Sequence, residues 1–144
     1  MTDKKPLIAI VDDDESVCRA LERLVRSLGM AAETYTGGAD FMNQIEALPG
    51  FSPDCVIVDV QMPGMNGIEV QASLRRLHKI IPVIFITAHE DRIAQEQALA
   101  GGAVAFLRKP CNDALIIRTL QAAFERREAE QQPDRPATGE KTKA

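Results

Sequence analysis

Five times in succession, a short apolar, β-branched run gives way to a stretch with helical spacing. The runs are Leu7 to Val11, a weaker Ala31 to Tyr35, Asp54 to Val58, Pro82 to Thr87, and Val104 to Leu107. The helical stretches are Glu15 to Leu28, Ala39 to Leu48, Gly67 to Leu77, Asp91 to Ala100, and Asn112 to Arg127. In the first of these, Val17, Leu21, Leu24, Val25 and Leu28 recur at helical spacing, and Gly29 follows as a stop. In the third, Ile68, Leu74 and Leu77 share one side, and Gly101-Gly102 stops the fourth. Parallel strands need crossover connections, so strict alternation of this kind argues for a parallel sheet. The central runs are apolar throughout, as expected when helices cover both faces. The expected architecture is α/β, a doubly wound (βα)5 sheet occupying residues 5–127. Residues 128–144, EAEQQPDRPATGEKTKA, contain two prolines and no large apolar side chain. They read as a polar, disordered tail.

The totals narrow the choice of partner. With 144 residues and a net charge of −4, the chain suits one domain and lacks the basic excess that a phosphate backbone selects. Direct binding to nucleic acid is therefore not expected. The longest apolar run, Ile80 to Ile86, is interrupted by Pro82 and too short to span a bilayer. The start, MTDKKPLIAIVDDD, lacks the apolar length and cleavage site of a signal peptide. A cytoplasmic location without a membrane partner is expected. Three cysteines, none in a C-x-x-C pair, form neither a disulfide framework nor a zinc pattern. Cys18 and Cys55 read as small core residues, and Cys111 as a more exposed one without assigned chemistry.

In open parallel sheets, ligands bind beyond the carboxyl ends of the strands, at the switch point in strand order. The first run ends in Asp12-Asp13-Asp14, the third in Asp59, the fourth in Thr87 and the fifth in Lys109-Pro110. A flavodoxin-like order, 2-1-3-4-5, makes the first and third strands neighbours and brings Asp12 and Asp13 close to Asp59. Carboxylates crowded in this way repel, and at least one pKa rises unless a cation is present. Mg²⁺ takes hard oxygen ligands and commonly combines carboxylates, waters and a phosphate. Lys109 and the Thr87 hydroxyl suit phosphoryl oxygens. Asp59 is then the natural nucleophile, because carboxylates form aspartyl-phosphates.

VDD at 11 to 13, VIVDVQMPGMNG at 56 to 67, FITAH at 85 to 89 and GGAVAFLRKP at 101 to 110 together resemble the CheY-like receiver domain of two-component response regulators. The resemblance spans about residues 5 to 127. It implies that Asp59 accepts a phosphoryl group from the phosphohistidine of a sensor histidine kinase or a histidine phosphotransfer protein. It implies Mg²⁺ held by Asp13 and Asp59 and the backbone carbonyl of Gln61, with Asp12 acting largely through water. Thr87 would move to bond the phosphoryl group, Phe106 would rotate inward, and Lys109, after a cis bond to Pro110, would pair with the phosphate. The altered face would be the fourth helix, fifth strand and fifth helix. That face would meet a downstream protein partner not named by the sequence, and the resemblance also allows a homodimer through it. Gln61 and His89 occupy positions that influence the phosphoryl lifetime in the family.

Each residue also has a plainer role. Asp14 is the expected N-cap of the first helix, Phe106 is partly core, and Pro63, Gly64 and Gly67 are turn residues first. Thr87 alone is an ordinary strand-end residue, and His78 and His89 read as surface groups. A phosphatase of the acid-dehalogenase type would need a second Asp at the position of Gln61, and no glycine-rich phosphate cradle is present. The expected function is a stand-alone phosphoacceptor switch rather than an enzyme of multiple turnover. The alternatives are the receiver fragment of a DNA-binding transcriptional regulator whose output domain is missing, and a receiver that never takes phosphate.

Overall fold

Side chains alternate across a strand, so a run that is apolar at every position must bury both of its faces. The computed structural model, which describes residues 5–130, shows how this is met. Strands β1 (Leu7–Val11), β2 (Ala31–Tyr35), β3 (Cys55–Asp59), β4 (Val83–Thr87) and β5 (Ala105–Arg108) alternate with helices α1 (Glu15–Ser27), α2 (Gly38–Ala47), α3 (Gly67–Arg76), α4 (Arg92–Ala100) and α5 (Asp113–Glu130). All strand pairs are parallel, in the order β2-β1-β3-β4-β5. The doubly wound fold and its strand order are those expected from the sequence.

Two apolar layers flank the sheet. Ala9, Val11, Val56, Val58 and Phe85 meet Phe41, Met42 and Ile45 of α2, Val70 and Leu74 of α3, and Ala94 and Ala98 of α4. Ile8, Ile10, Ile57, Ile84 and Ile86 meet Cys18, Leu21 and Val25 of α1, and Ile116, Leu120 and Ala123 of α5. Neighbouring residues of one strand thus feed opposite layers. Cys18 and Cys55 are buried, and Cys111 is half-buried.

The caps explain where the helices start and stop. Asp14 accepts from the Ser16 and Val17 amides at the head of α1, the expected cap. Asn66 and Glu69 form a reciprocal capping box on α3, and Asp91 caps α4 rather than opening it. Gly29 ends α1 at φ +85°. The α3 face differs from the expected one. Val70, Gln71 and Leu74 turn inward with Gly67 and Ser73, whereas Ile68 is half-buried and Leu77 is 40% exposed. A buried glutamine inside the stripe obscured its true centre. At the N-terminal end of the sheet, Asp54 accepts from the Leu7 amide and pairs with Arg127, fastening α5 beside β3. Helix α5 continues through Glu130, so residues 128–130 are helical; the rest of the expected tail, 131–144, lies outside the described residues. No helix among the described residues is long and apolar enough to cross a membrane.

Candidate functional site

The β1–β3 pairing carries Val11 beside Val58, so the residues that follow them emerge side by side at the carboxyl edge. Asp12 is 1% exposed and Asp59 is 4% exposed. The Asp12 backbone is fixed by its amide, which donates to the Tyr35 carbonyl at 2.9 Å, and by the Cys18 thiol, which donates to the Asp12 carbonyl at 3.2 Å. Asp13 lies at the surface, yet one oxygen from each of Asp12, Asp13 and Asp59 falls within 4.8 Å of the others.

Lys109 reaches this group from β5. Its amide donates to the Thr87 carbonyl at 2.7 Å, its peptide bond to Pro110 is cis, and its Nζ lies 2.9 Å from Asp12 Oδ2 and 3.5 Å from Asp59 Oδ2. One ammonium faces three carboxylates, so negative charge remains in excess. Burial, and then Asp12, push the Asp59 carboxyl up to about 6, against the opposing pull of Lys109 and the Gln61 amide. Burial works against the Lys109 charge, but Asp12 and Asp59 outweigh it and hold the ammonium above its ordinary pKa.

The loop after Asp59 folds back over it. The Gln61 amide donates to Asp59 Oδ1 at 3.2 Å, and the Gly67 amide donates to the Val60 carbonyl at 3.0 Å. A Cβ on Gly67 would sit 2.5 Å from the Asp59 carbonyl oxygen, so the close return of the chain requires glycine. Thr87 is fully buried, and its Oγ1 accepts from the His89 amide at 3.2 Å. Phe106 is half-buried and stacks on Phe85 with centroids 6.0 Å apart. Ala88 and His89 are exposed at the mouth. Asp12, Asp13, Asp59 and Lys109 thus converge directly, while Thr87 and Phe106 belong to the strands beside them. Sequence reasoning missed Asp91. Its carboxylate accepts from the Ala94 amide and from Gln61 Nε2, the latter at 3.4 Å, and the signal was an Asp at the head of a helical stretch.

The donor set suits a hard divalent cation. Asp12 Oδ2 is buried without a hydrogen bond of ordinary geometry, its contact being the Lys109 ammonium, and every side-chain donor in the cluster is a carboxylate oxygen.

The carboxyl edge of a parallel (βα)5 sheet thus carries an acidic cluster and a lysine. The chain belongs to the response regulator receiver domain family, whose model matches residues 8–121. It is 37% identical to the response regulator protein TodT of Pseudomonas putida over 124 residues, 86% of this chain and 53% of TodT. It is 32% identical to the DNA-binding transcriptional regulator NtrC of Escherichia coli over 130 residues, 90% of this chain and 27% of NtrC. The chain therefore spans about half or less of these relatives' length. A response regulator receiver protein from Burkholderia phymatum is 57% identical, with a TM-score of 0.75, 84% of this chain covered and 96% of that one. Receiver domains act as switches that meet histidine kinases and bind Mg²⁺ at an acidic pocket.

Proposed function

We propose that Asp59 accepts a phosphoryl group from the phosphohistidine of a sensor histidine kinase or a histidine phosphotransfer protein, and that the new charge changes which protein this chain binds. The supporting observation is the buried Asp59 beside two further carboxylates, with the Lys109 ammonium bridging Asp12 and Asp59. An Asp59 carboxylate oxygen attacks phosphorus, the P–N bond breaks, and its electron pair returns to the imidazole nitrogen. Lys109 faces the phosphoryl oxygens, and the Thr87 hydroxyl turns from the His89 amide to donate to one of them. Asp12, Asp13, Asp59 and the Gln61 carbonyl would hold Mg²⁺, which when bound offsets the charge gathered on carboxylates and phosphoryl group. Phe106 follows Thr87 inward, altering the α4-β5-α5 face, where a partner or a second copy docks.

The test is transfer of labelled phosphate from a phosphorylated histidine phosphotransfer protein. Label should move to the wild type in Mg²⁺, and fail to move to Asp59→Asn or in EDTA. Label on the Asp59→Asn chain would refute the assignment. A second reading draws support from TodT and NtrC, which extend beyond the matched region. In it, the switched face controls a DNA-binding output domain on the same polypeptide. Both readings share the phosphoacceptor and differ in what that face touches.

A further inference from the structure

Helix α4 buries Ala94 and Ala98, where α2 buries Phe41, Met42 and Ile45. Two methyl groups remove little apolar area from water, so α4 depends more than its neighbours on how its ends are tied. Ile93 and Leu99, the large apolar residues of the helix, are 70% and 48% exposed.

The two ends are tied differently. At the C-terminal end, Gly102 adopts φ +95° and donates to the Leu99 carbonyl at 3.0 Å, while Ala103 donates to the Ala98 carbonyl at 3.0 Å. This is the Schellman closure. A second donor then reaches the same Ala98 carbonyl from another helix: Nε2 of Gln71 in α3, at 3.0 Å. Gln71 is only 5% exposed, so its amide has little water to fall back on. Gly101 makes room for it, since a Cβ there would lie 2.7–2.8 Å from the Gln71 amide atoms. The two glycines thus do separate jobs: Gly102 supplies the left-handed turn and Gly101 the space. At the N-terminal end, the tie is an exposed hydrogen bond of 3.4 Å from Gln61 to Asp91. Gln61 stands two residues beyond Asp59, and the His89 amide on the same approach is held by Thr87.

We propose that Gln71, seated against Gly101, is a positioning residue that pins the C-terminal end of α4, so that the helix answers a change at Asp59 and Thr87 by pivoting about Ala98. This rests on the phosphoacceptor reading. When the Thr87 hydroxyl turns away it releases the His89 amide, and the weak Gln61–Asp91 bond yields; the buried Gln71 bond does not.

Residue-resolved amide exchange tests this with the chain alone and with beryllofluoride and Mg²⁺ as a phosphoryl mimic. In the wild type, amides of residues 89–94 should change on adding the mimic, while those of residues 101–103 keep their exchange rates. Gln71→Met, without the mimic, should speed exchange at residues 101–103 by up to about tenfold. Gly101→Ala, which displaces the same side chain, should release the same amides. Exchange at residues 101–103 unchanged in both variants would overturn the pin. A mimic response as large at 101–103 as at 89–94 would overturn the pivot. A wild type that ignores the mimic counts against the phosphoacceptor reading, and the variants without mimic still decide the pin.

Discussion

Asp59 is held in a state that opposes its own charge. Burial and Asp12 raise its pKa from 3.8 to about 6, so the folded chain keeps a proton that the unfolded chain has already released. Stability should therefore fall as pH rises from about 4 to about 6, and stay lower above that window. In EDTA, Asp59→Asn should remove most of this slope and stabilise the chain at pH 7.5 by on the order of 2 kcal/mol. Urea unfolding of both chains at pH 4.5 and 7.5 measures it. An equal difference at the two values would contradict the assigned repulsion. His78 is a second residue held at a cost. It occupies the left-handed position after α3, with φ +57°, where its amide donates to the Arg75 carbonyl and that of Lys79 to the Leu74 carbonyl. The α1 and α4 closures use Gly29 and Gly102 at the equivalent place. His78→Gly should stabilise the chain by about 1 kcal/mol, read from the urea midpoint.

At the scale of elements, the turn from β3 into α3 determines where Asp59 points. The glycine at its end lies against the Asp59 carbonyl, so Gly67→Ala must push the turn away from the strand. A loss of about 1–3 kcal/mol in stability is expected, together with slower phosphorylation, since the Gln61 amide would lose its aim at Asp59. Wild-type phosphorylation rates in this variant would show that the turn does not position the carboxylate. Elements were legible in the sequence wherever apolar period and stop residue agreed. α1 had both, with Cys18, Leu21 and Val25 inward and Gly29 behind them. α3 had neither in plain form. Its inward stripe includes Gln71 and its stop is a histidine, so the buried face was misplaced. A polar residue on an apolar face carries no periodic signal, and its partner, a backbone carbonyl of another helix, leaves no trace in sequence at all. The acidic cluster was legible because each carboxylate ends a strand and parallel topology gathers strand ends at one edge. The Gln61–Asp91 tie was not, since it depends on two loops whose approach only the folded chain defines.

Across the whole molecule, the sheet separates two tasks. Its apolar layers, fed by alternate residues of every central strand, are buried between the sheet and its helices. Its carboxyl edge collects charge that the body alone does not neutralise, with three carboxylates set against one ammonium. On the proposed function, removal of Mg²⁺ should abolish acceptance of the phosphoryl group while leaving the fold intact by circular dichroism. The most direct measurement is intact mass after incubation with acetyl phosphate, with and without Mg²⁺, for the wild type and Asp59→Asn. The account predicts a gain of one phosphoryl group in the wild type that requires Mg²⁺ and is absent from the variant. No gain in the wild type, or an equal gain in Asp59→Asn, would contradict it.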